Sequence, residues 1–279
     1  MTTGMLCLAL AVAPALAGRA EGQVSRGPDT VLVPSGALTL RALLWRPTGR
    51  GPFPAVLFNH GSGNNLARQS AQAATVGPVF ARHGYVFLFV FRRGSGLSAD
   101  QGTSAADLMD RELAAHGPEA RNRLQLRLLE TDQLSDTVAG LAFLRALPEV
   151  DTRRIAVAGH SFGGSLTLLM VERDSALGAA IIFGGATGSW ERSPGLRARL
   201  LAAAGRTTAP VFFIQAANDY SVAPAKVLSA EMVRLGKPHR GKIYPAVGHT
   251  AAEGHDFVYL GVDTWEPDVF SFLDERMRR

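Results

Sequence analysis

The feature that most constrains the fold is a short apolar run joined to a longer one by a glycine-rich turn. Residues 155–158, Ile-Ala-Val-Ala, have the composition of a buried parallel strand. Residues 159–163 follow as Gly-His-Ser-Phe-Gly, which matches the pattern G-x-S-x-G, and residues 166–171 continue as an apolar helix. This order of strand, tight turn and helix predicts that Ser161 stands at the apex of the turn.

The two glycines of this turn have a steric purpose. A side chain at Gly159 or Gly163 would clash within the turn, and glycine tolerates strained dihedral angles. The helix directs the N–H groups of its first turn toward Ser161, so the Phe162 N–H can stabilise an oxyanion that develops there. The alternative is a glycine-rich connection with an incidental serine. The strand before it and the helix after it favour a nucleophile.

The composition is that of a single globular domain. The chain has 279 residues, of which 47% are hydrophobic and 19% are charged, and this length is sufficient for one large core. Its net charge of +5 comes mainly from arginines that are spread along the chain and form no basic run of the kind that tracks nucleic acid. We therefore expect no nucleic-acid partner.

The N-terminal segment predicts export. Residues 5–17 are apolar, too few to span a bilayer, and end in Ala-Leu-Ala, which is typical of a signal-peptide cleavage site. No basic residue precedes them, and a cytosolic N-terminus is the alternative. We expect a signal peptide over 1–20, one domain over 21–279, a periplasmic or secreted product and no stable membrane insertion after cleavage. The sole cysteine, Cys7, lies in this segment, so the mature chain would contain none.

Alternating strand and helix patterns predict an α/β fold. A hairpin is expected around residues 34–36, and later strands are predicted at 55–58, 85–91, 155–158, 179–183, 211–214 and 242–244. Helical patterns lie between them, chiefly at 67–83, 100–133, 131–147 and 268–277. This alternation indicates a mostly parallel sheet with helices on both faces. The connection between residues 183 and 211 is too short for a large cap domain, so we expect an open site.

Asp219 is the candidate acid, because it follows the predicted strand that ends at Ile214. Open α/β sheets place their sites just beyond the carboxyl ends of the strands. A carboxylate there can hold an imidazole in one tautomer and stabilise its protonated form. The alternative is a turn or helix-capping aspartate ahead of Pro224, a common use of the residue. Its position and its order after Ser161 favour the catalytic role.

The turn at Ser161 and the acid that follows it resemble the α/β-hydrolase superfamily. In that superfamily an acid and then a histidine come after the serine. Asp219 is similar to its acid, which typically reads Asp-x-x-Val followed closely by Pro. The resemblance covers about residues 31–277, and it implies an α/β-hydrolase fold with a Ser-Asp-His triad.

Two histidines follow the last predicted strand, and either can supply the base. His249 lies at the usual short distance after the strand. His255 stands in a Gly-His-x-Phe sequence that resembles dienelactone-hydrolase-like proteins. Some of those proteins carry an insertion after the Tyr-Pro that ends the last strand, and residues 244–245 (Tyr-Pro) and 253–255 (Glu-Gly-His) look like that subset. The resemblance favours His255, and His249 would then lie on a surface loop.

The loop after the first parallel strand is expected to supply a second oxyanion donor. Residues 60–63, His-Gly-Ser-Gly, fit this role, with the Ser62 N–H acting beside that of Phe162; a simple glycine-rich turn is the alternative. Arg92 and Arg93 also follow a strand, and they can bind a substrate carboxylate or tie down loops. Motifs for metal or nucleotide binding are absent from the sequence, so we expect no metal and no cofactor.

The sequence therefore resembles a dienelactone-hydrolase-like serine hydrolase that acts on a small-molecule carboxylic ester or lactone. The resemblance implies that Ser161 is the nucleophile, His255 the base and Asp219 its partner, and that water hydrolyses an acyl-enzyme. One alternative is a peptidase related to prolyl oligopeptidases, whose similar catalytic domains carry a large additional domain. Another is a non-catalytic relative that binds a ligand, although such relatives usually lose a triad residue.

Overall fold

One twisted sheet organises the part of the chain that the structure describes. The computed structural model describes Met1 and residues 27–277, so the predicted signal peptide lies outside the described residues apart from Met1. Eight strands in this part follow the order β1-β2-β4-β3-β5-β6-β7-β8, with β2 antiparallel to both neighbours and β3 to β8 parallel. They are β1 Asp29–Ser35, β2 Leu38–Trp45, β3 Phe53–Asn59, β4 Val86–Phe91, β5 Val150–His160, β6 Ala179–Phe183, β7 Val211–Ala216 and β8 His239–Tyr244.

Helices cover both faces of this sheet. Within residues 27–277 none of them is both long and apolar enough to cross a membrane. They are α1 Leu66–Arg82, α2 Ala105–Glu130, α3 Asp132–Arg145, α4 Phe162–Arg173, α5 Pro194–Arg206, α6 Ala223–Arg234, α7 Ala251–His255, α8 Phe257–Leu260 and α9 Val262–Met277.

The sequence of β4 shows why both faces are covered. Its six residues, Val-Phe-Leu-Phe-Val-Phe, are all buried. Side chains alternate between the faces of a strand, so the aliphatic residues join a core with α2 to α6, whereas the phenylalanines join a core with α1, α8 and α9. A strand that is apolar on both sides requires a layer of helices on each, and this requirement produces the three-layer fold.

The predicted fold class is confirmed. The sheet is mostly parallel, helices lie on both faces, and no large cap domain interrupts residues 27–277. The predicted strands are present, with ends that coincide with the prediction or are shifted by up to five residues. The helix expected over 100–133 is broken at Gly117, where φ is 80°. The sequence analysis missed α6, where apolar residues such as Val233 are exposed and blur the periodicity, and it missed α7 and α8, which are too short to show one.

Helix α1 packs closely against the sheet at Gly77. A Cβ on this residue would lie 2.5 Å from the Trp45 ring. Trp45 is 1% exposed and packs edge-on against Phe87, with their ring centroids 5.8 Å apart. Since the indole has no free space to move into, glycine sets the distance between α1 and β2.

We expect Gly77→Ala to lower the free energy of unfolding by about 1–3 kcal/mol, because the methyl group overpacks the contact with Trp45. Alanine alone would favour the helix by up to about 1 kcal/mol. Gly205→Ala in α5 is the matched control, since its Cβ would meet Leu235 at an ordinary 3.5 Å. Urea denaturation of both variants checks the prediction, which is wrong if Gly77→Ala is as stable as the wild type.

Candidate active site

The predicted site residues lie along one edge of the sheet, where the carboxyl ends of the parallel strands meet. The segments after β3, β4, β5, β7 and β8 bring Ser62, Arg92, Ser161, Asp219 and His255 to this edge. Sites of open α/β folds occupy this position. Ser62, Ser161 and His255 line one cavity of about 350 Å³.

Ser161 occupies a strained position between β5 and α4. Its backbone has φ 57° and ψ −119°, and such a conformation costs a non-glycine residue about 1–3 kcal/mol. The Ser161 N–H donates to the Phe183 carbonyl at 2.9 Å, and the Ser161 carbonyl accepts the Ser165 N–H at 3.2 Å. These bonds to β6 and α4 hold the tight turn that the sequence predicts.

We call the turn formed by residues 159–163 the elbow. No side chain fits at its two glycines, Gly159 and Gly163. A Cβ on Gly159 would lie 2.5 Å from the Thr167 hydroxyl. One on Gly163 would overlap the carbonyl oxygens of Asn59 and His60 at the end of β3. The glycines that the turn requires therefore also let the loop after β3 come close to Ser161.

Asp219 is buried at the end of β7, and its carboxylate is held by several donors. Oδ1 accepts hydrogen bonds from Thr187 Oγ1 at 2.9 Å and from the Tyr220 N–H at 2.7 Å. Oδ2 accepts one from Gln215 Nε2 at 3.1 Å. A buried carboxylate is stable only when such bonds replace its hydration, so this network fixes a negative charge below the cavity.

His255 is the histidine that contacts Asp219. Its Nδ1 lies 3.0 Å from Asp219 Oδ1, and 16% of its side chain is exposed, against 1% of the carboxylate. Because Nδ1 faces an acceptor, that nitrogen carries the proton, and Nε2 can accept one. Ser161 and His255 line the same cavity without a direct hydrogen bond. Catalytic hydrogen bonds are often long or absent before substrate binds.

The loop that carries His255 is fixed by the residue before the acid. Asn218 Nδ2 donates to the carbonyls of Val247 at 2.8 Å and Thr250 at 2.9 Å. Gly254 packs on the same residue, because a Cβ there would lie 2.5 Å from the Asn218 backbone. The acid and the base are thus held together through Asn218, and close packing explains the glycine before His255.

His160, inside the elbow, holds the same loop from the other side. Its Nε2 lies 2.9 Å from the His255 carbonyl oxygen, so Nε2 is the protonated nitrogen and Nδ1 faces the Tyr259 hydroxyl at 3.5 Å. Burial, reinforced by the charge of His255 when it is protonated, lowers the pKa of His160 well below its usual range. A neutral His160 therefore connects the turn bearing Ser161 to the backbone of His255.

His249 lies on the surface, away from Asp219. Its side chain is exposed, and its backbone N–H donates to Glu253 Oε2 at 2.9 Å. Glu253 and Thr250 form a reciprocal capping box at the start of α7. The segment containing His249 therefore serves to start the helix that ends at His255.

The two predicted oxyanion donors, the N–H groups of Ser62 and Phe162, belong to segments that adjoin Ser161, and their role stays a prediction. Ser62 lines the cavity, and its neighbour Gly61 lies so close that a Cβ there would be 3.7 Å from Ser161 Cβ. Phe162 is the first residue of α4, where N–H groups have no partner within the helix. The remaining side chains of the cavity wall are largely polar, including Asn64, Asn65, Arg68, Gln69 and Gln72.

Arg92 and Arg93 both lie outside the cavity lining. Arg93 Nη2 pairs with the fully buried Asp136 at 2.8 Å, and Arg93 Nη1 pairs with Asp132 at 3.0 Å, so Arg93 joins the end of β4 to α3. Arg92 is 1% exposed and donates from Nη2 to the Gly61 carbonyl at 2.8 Å. Of the two roles considered from the sequence, loop attachment describes both arginines.

The sequence analysis missed three residues around the acid. Thr187 and Gln215 bind the Asp219 carboxylate, and Gly184, with φ 55°, leaves room for the acid–base pair. A Cβ on Gly184 would lie 2.9 Å from Asp219 Oδ2 and 3.3 Å from His255 Nδ1. Two of the three could have been noticed in the sequence: Gln215 is polar at the end of an apolar strand, and Gly184 directly follows another apolar strand. No sequence feature pointed to Thr187.

No group of three or more His, Cys, Asp or Glu side chains within residues 27–277 is arranged to hold a metal ion. Of the histidines at the site, His255 binds Asp219 and His160 binds the His255 carbonyl. The expectation that no metal or cofactor takes part stays a prediction.

Comparison with known sequences identifies related proteins. Residues 40–260 match the sequence model of the dienelactone hydrolase family. A curated relative, the quorum-quenching protein AidA of Acinetobacter baumannii (strain MDR-ZJ06), is 27% identical over 165 residues, which are 59% of this chain and 46% of the relative. The match thus spans less than half the length of that relative.

Solved structures share the fold. The acylaminoacyl peptidase of Pyrococcus horikoshii superimposes with a TM-score of 0.62 at 18% identity, over 90% of this chain and 42% of that chain. A candidate dienelactone hydrolase from Klebsiella pneumoniae subsp. pneumoniae MGH 78578 gives 0.61 at 17% identity, over 90% of this chain and 97% of that chain. At such identities the likeness establishes the α/β-hydrolase fold alone.

We expect the hydrogen bond between His255 and Asp219 to give a downfield proton resonance in ¹H NMR spectra, because the proton lies between an imidazole and a buried carboxylate. The resonance should disappear in Asp219→Ala and in His255→Ala. It should persist in His249→Ala, whose exposed side chain is the matched control. Loss of the resonance in His249→Ala but not in His255→Ala would contradict the arrangement.

Proposed function

Because the chain belongs to the dienelactone hydrolase family, we propose that it is a serine hydrolase that cleaves carboxylic esters, lactones included. One observation carries the proposal: the His255–Asp219 hydrogen bond reaches the same cavity in which Ser161 stands at the apex of a strained turn. A nucleophile, a base and a group that orients the base are the parts that acyl transfer requires.

In the proposed acylation, Ser161 Oγ attacks the ester carbonyl carbon and its proton moves to His255 Nε2. Asp219 keeps the Nδ1 proton in place and stabilises the imidazolium that forms. The carbonyl oxygen becomes an oxyanion and accepts hydrogen bonds from the N–H groups of Ser62 and Phe162. Such donors, fixed before the reaction, each account for about 10²–10³ in kcat.

The tetrahedral intermediate then collapses to the acyl-enzyme as the carbonyl bond re-forms. The bond to the leaving alkoxide breaks, and His255 gives its proton to that oxygen, which leaves an acyl group on Ser161. Water enters, loses a proton to His255 and attacks the acyl carbon through the same oxyanion site. The acid leaves, Ser161 recovers its proton, and no redox step or cofactor is needed.

The cavity favours small, polar substrates. Its volume of about 350 Å³ lies near the lower end of the usual range for ligand sites, about 300–1,000 Å³. Amide side chains and Arg68 line its wall, and they would lose hydration without compensation against a long aliphatic chain. The name of the family refers to a lactone, which is an internal ester, so lactones of this size belong to the proposed class.

Two alternative functions, peptidase activity and ligand binding without catalysis, can be distinguished from ester hydrolysis by experiment. A peptidase would carry out the same acylation on an amide, and the similarity to an acylaminoacyl peptidase at 18% identity concerns the fold alone. A protein that only binds a ligand would leave Ser161 unreactive. Amide substrates test the first alternative, and a covalent serine probe tests the second.

We expect Ser161→Ala to lower kcat for a p-nitrophenyl ester by about 10⁴–10⁶ without unfolding the protein, because it removes the nucleophile but leaves the turn. A fluorophosphonate probe should label the wild type at Ser161 and leave the variant unlabelled. Labelling is read by mass spectrometry and folding by circular dichroism. Retention of more than about a tenth of the wild-type rate would contradict this role of Ser161.

A pair of histidine variants controls this experiment. His255→Ala should lose nearly as much activity as Ser161→Ala, since triad residues act as a unit. His249→Ala should retain most of the rate, because that side chain is exposed and does not touch Asp219. The reverse outcome would transfer the role of base to His249.

We expect the enzyme to hydrolyse p-nitrophenyl acetate and butyrate, and to turn over N-acetyl-aminoacyl p-nitroanilides no faster than Ser161→Ala does. An amide demands full protonation of its nitrogen before it leaves, whereas an activated phenolate leaves readily. Release of p-nitrophenol and of p-nitroaniline is compared as kcat/KM. A higher kcat/KM for the anilides would favour a peptidase, and a preference for the palmitate ester would contradict the polar cavity.

A further inference from the structure

Arg92 lies directly beneath the loop that carries the proposed oxyanion donor Ser62. It follows the last residue of β4, Phe91, and only 1% of it is exposed. Since it lies outside the cavity lining, it does not meet a substrate directly. The role of this buried guanidinium must therefore follow from the groups that it contacts.

The first of these groups is the peptide that bears the Ser62 N–H. Arg92 Nη2 donates to the Gly61 carbonyl oxygen at 2.8 Å. The Gly61 carbonyl and the Ser62 N–H belong to one peptide unit, which is planar and trans. Its N–H therefore points away from Arg92, and a hydrogen bond to the carbonyl fixes its plane and increases the polarity of the N–H.

His60 reinforces the same contact. The Arg92 backbone N–H donates to His60 Nε2 at 3.2 Å, which favours the neutral ring with its proton on Nδ1. Gln69 Nε2 and Arg92 Nη2 also lie near Nδ1, at 2.9 and 3.3 Å. Nδ1 lies 2.7 Å from the Gly61 carbonyl oxygen, to which it donates. Burial, followed by the charge of Arg92, holds the pKa of His60 well below its usual range, and the ring stays neutral. Two donors linked through Arg92 thus hold one carbonyl.

The second group is the residue that bears the other proposed oxyanion donor. The Arg92 guanidinium lies over the Phe162 ring, with Cζ 5.6 Å from the centroid. The ring is 4% exposed, and Phe162 is the first residue of α4. A cation is attracted to an aromatic face, and more strongly in such a desolvated place. Arg92 therefore contacts Phe162 and, through the Gly61 carbonyl, the peptide that bears the Ser62 N–H.

The remaining contacts of Arg92 leave its charge without a close carboxylate. Nε donates to Gln133 Oε1 at 2.8 Å, a neutral acceptor. Asp136 attracts the guanidinium from a distance, but the carboxylate of Asp136 is bound by Arg93 and by Ser35. Burial lowers the pKa of Arg92 to about 9, which still leaves it protonated at neutral pH. A positive charge is therefore fixed on the side of the elbow opposite Asp219.

We propose that Arg92 is the positioning residue of the oxyanion hole: it holds the Gly61–Ser62 peptide and Phe162 so that both N–H groups face the developing negative charge. This inference rests on the proposed function, because it requires Ser161 to attack a carbonyl. Arg92 acts through Gly61 and Phe162 and touches no reacting atom. It makes the hole rigid before substrate arrives, and its charge favours the oxyanion over the neutral ester.

The test compares Arg92→Met and Arg92→Lys with Arg93→Met. Methionine removes the charge and every hydrogen bond, whereas lysine keeps the charge but not the fork that reaches Gly61 and Gln133 together. Arg93 follows the same strand and holds the buried Asp136, yet it contacts neither Gly61 nor Phe162. Its variant therefore controls for the loss of a structural arginine at this edge.

Three quantities are measured on one activated ester: kcat, KM and the affinity for phenylboronic acid, whose adduct with a serine carries a negatively charged tetrahedral boron. We expect Arg92→Met to lower kcat and boronate affinity together by about 10²–10³, with KM within about threefold. Arg92→Lys should show a smaller loss of both. Arg93→Met should melt at a lower temperature but keep kcat and boronate affinity within about threefold of the wild type.

Each outcome decides the inference. A parallel loss of kcat and boronate affinity in folded Arg92 variants supports it, and values within threefold of the wild type overturn it. If Arg92→Met does not fold, Arg92→Lys, which preserves charge and approximate volume, gives the decision by the same two quantities. If the wild type hydrolyses no ester and is not labelled at Ser161, the proposed function itself is contradicted. If the wild type is active but the Arg92 variants are unaffected, only the inference about Arg92 is contradicted.

Discussion

The site depends on the close approach of the elbow to the end of the neighbouring strand. Gly163 lies against the carbonyl oxygens of Asn59 and His60, a separation that excludes any side chain. The parallel register between β3 and β5, which pairs Asn59 with Gly159, brings these segments together. The strained backbone of Ser161 is thus held by the sheet itself, and the strain of about 1–3 kcal/mol is small beside the burial of the strands.

From this contact, two buried polar networks extend in opposite directions. On the β7 side, Thr187 and Gln215 hold the Asp219 carboxylate, which holds His255. On the β4 side, Arg92 holds the Gly61 carbonyl and packs on Phe162. Each network carries one buried charge whose hydrogen bonds offset part of its loss of hydration, and Arg92 Nη1 is buried without a hydrogen-bond partner. The elbow lies between them, so the groups proposed to act on a substrate have little freedom to move.

Local sequence patterns were sufficient to predict that Ser161 and Asp219 lie at the edge where α/β sheets place their sites, because each follows an apolar strand. They were insufficient to choose between His249 and His255 from the residues alone. The arrangement that brings His255 to the acid comes from Asn218 and from the start of α7, which depend on long-range contacts. The burial of Arg92 could not be predicted from the sequence either, since an arginine after a strand is ordinarily exposed.

The placement of the two buried charges fits the charge movement of the proposed reaction. Before attack, Asp219 is negative, Arg92 is positive, and both His255 and the ester are neutral. In the transition state His255 becomes positive next to Asp219, and the carbonyl oxygen becomes negative on the side of Arg92. Charges of opposite sign then alternate across the site, an arrangement that favours the transition state over the bound substrate. Because both fixed charges are already buried and hydrogen-bonded, no reorganisation of the protein is required when the new pair of charges appears.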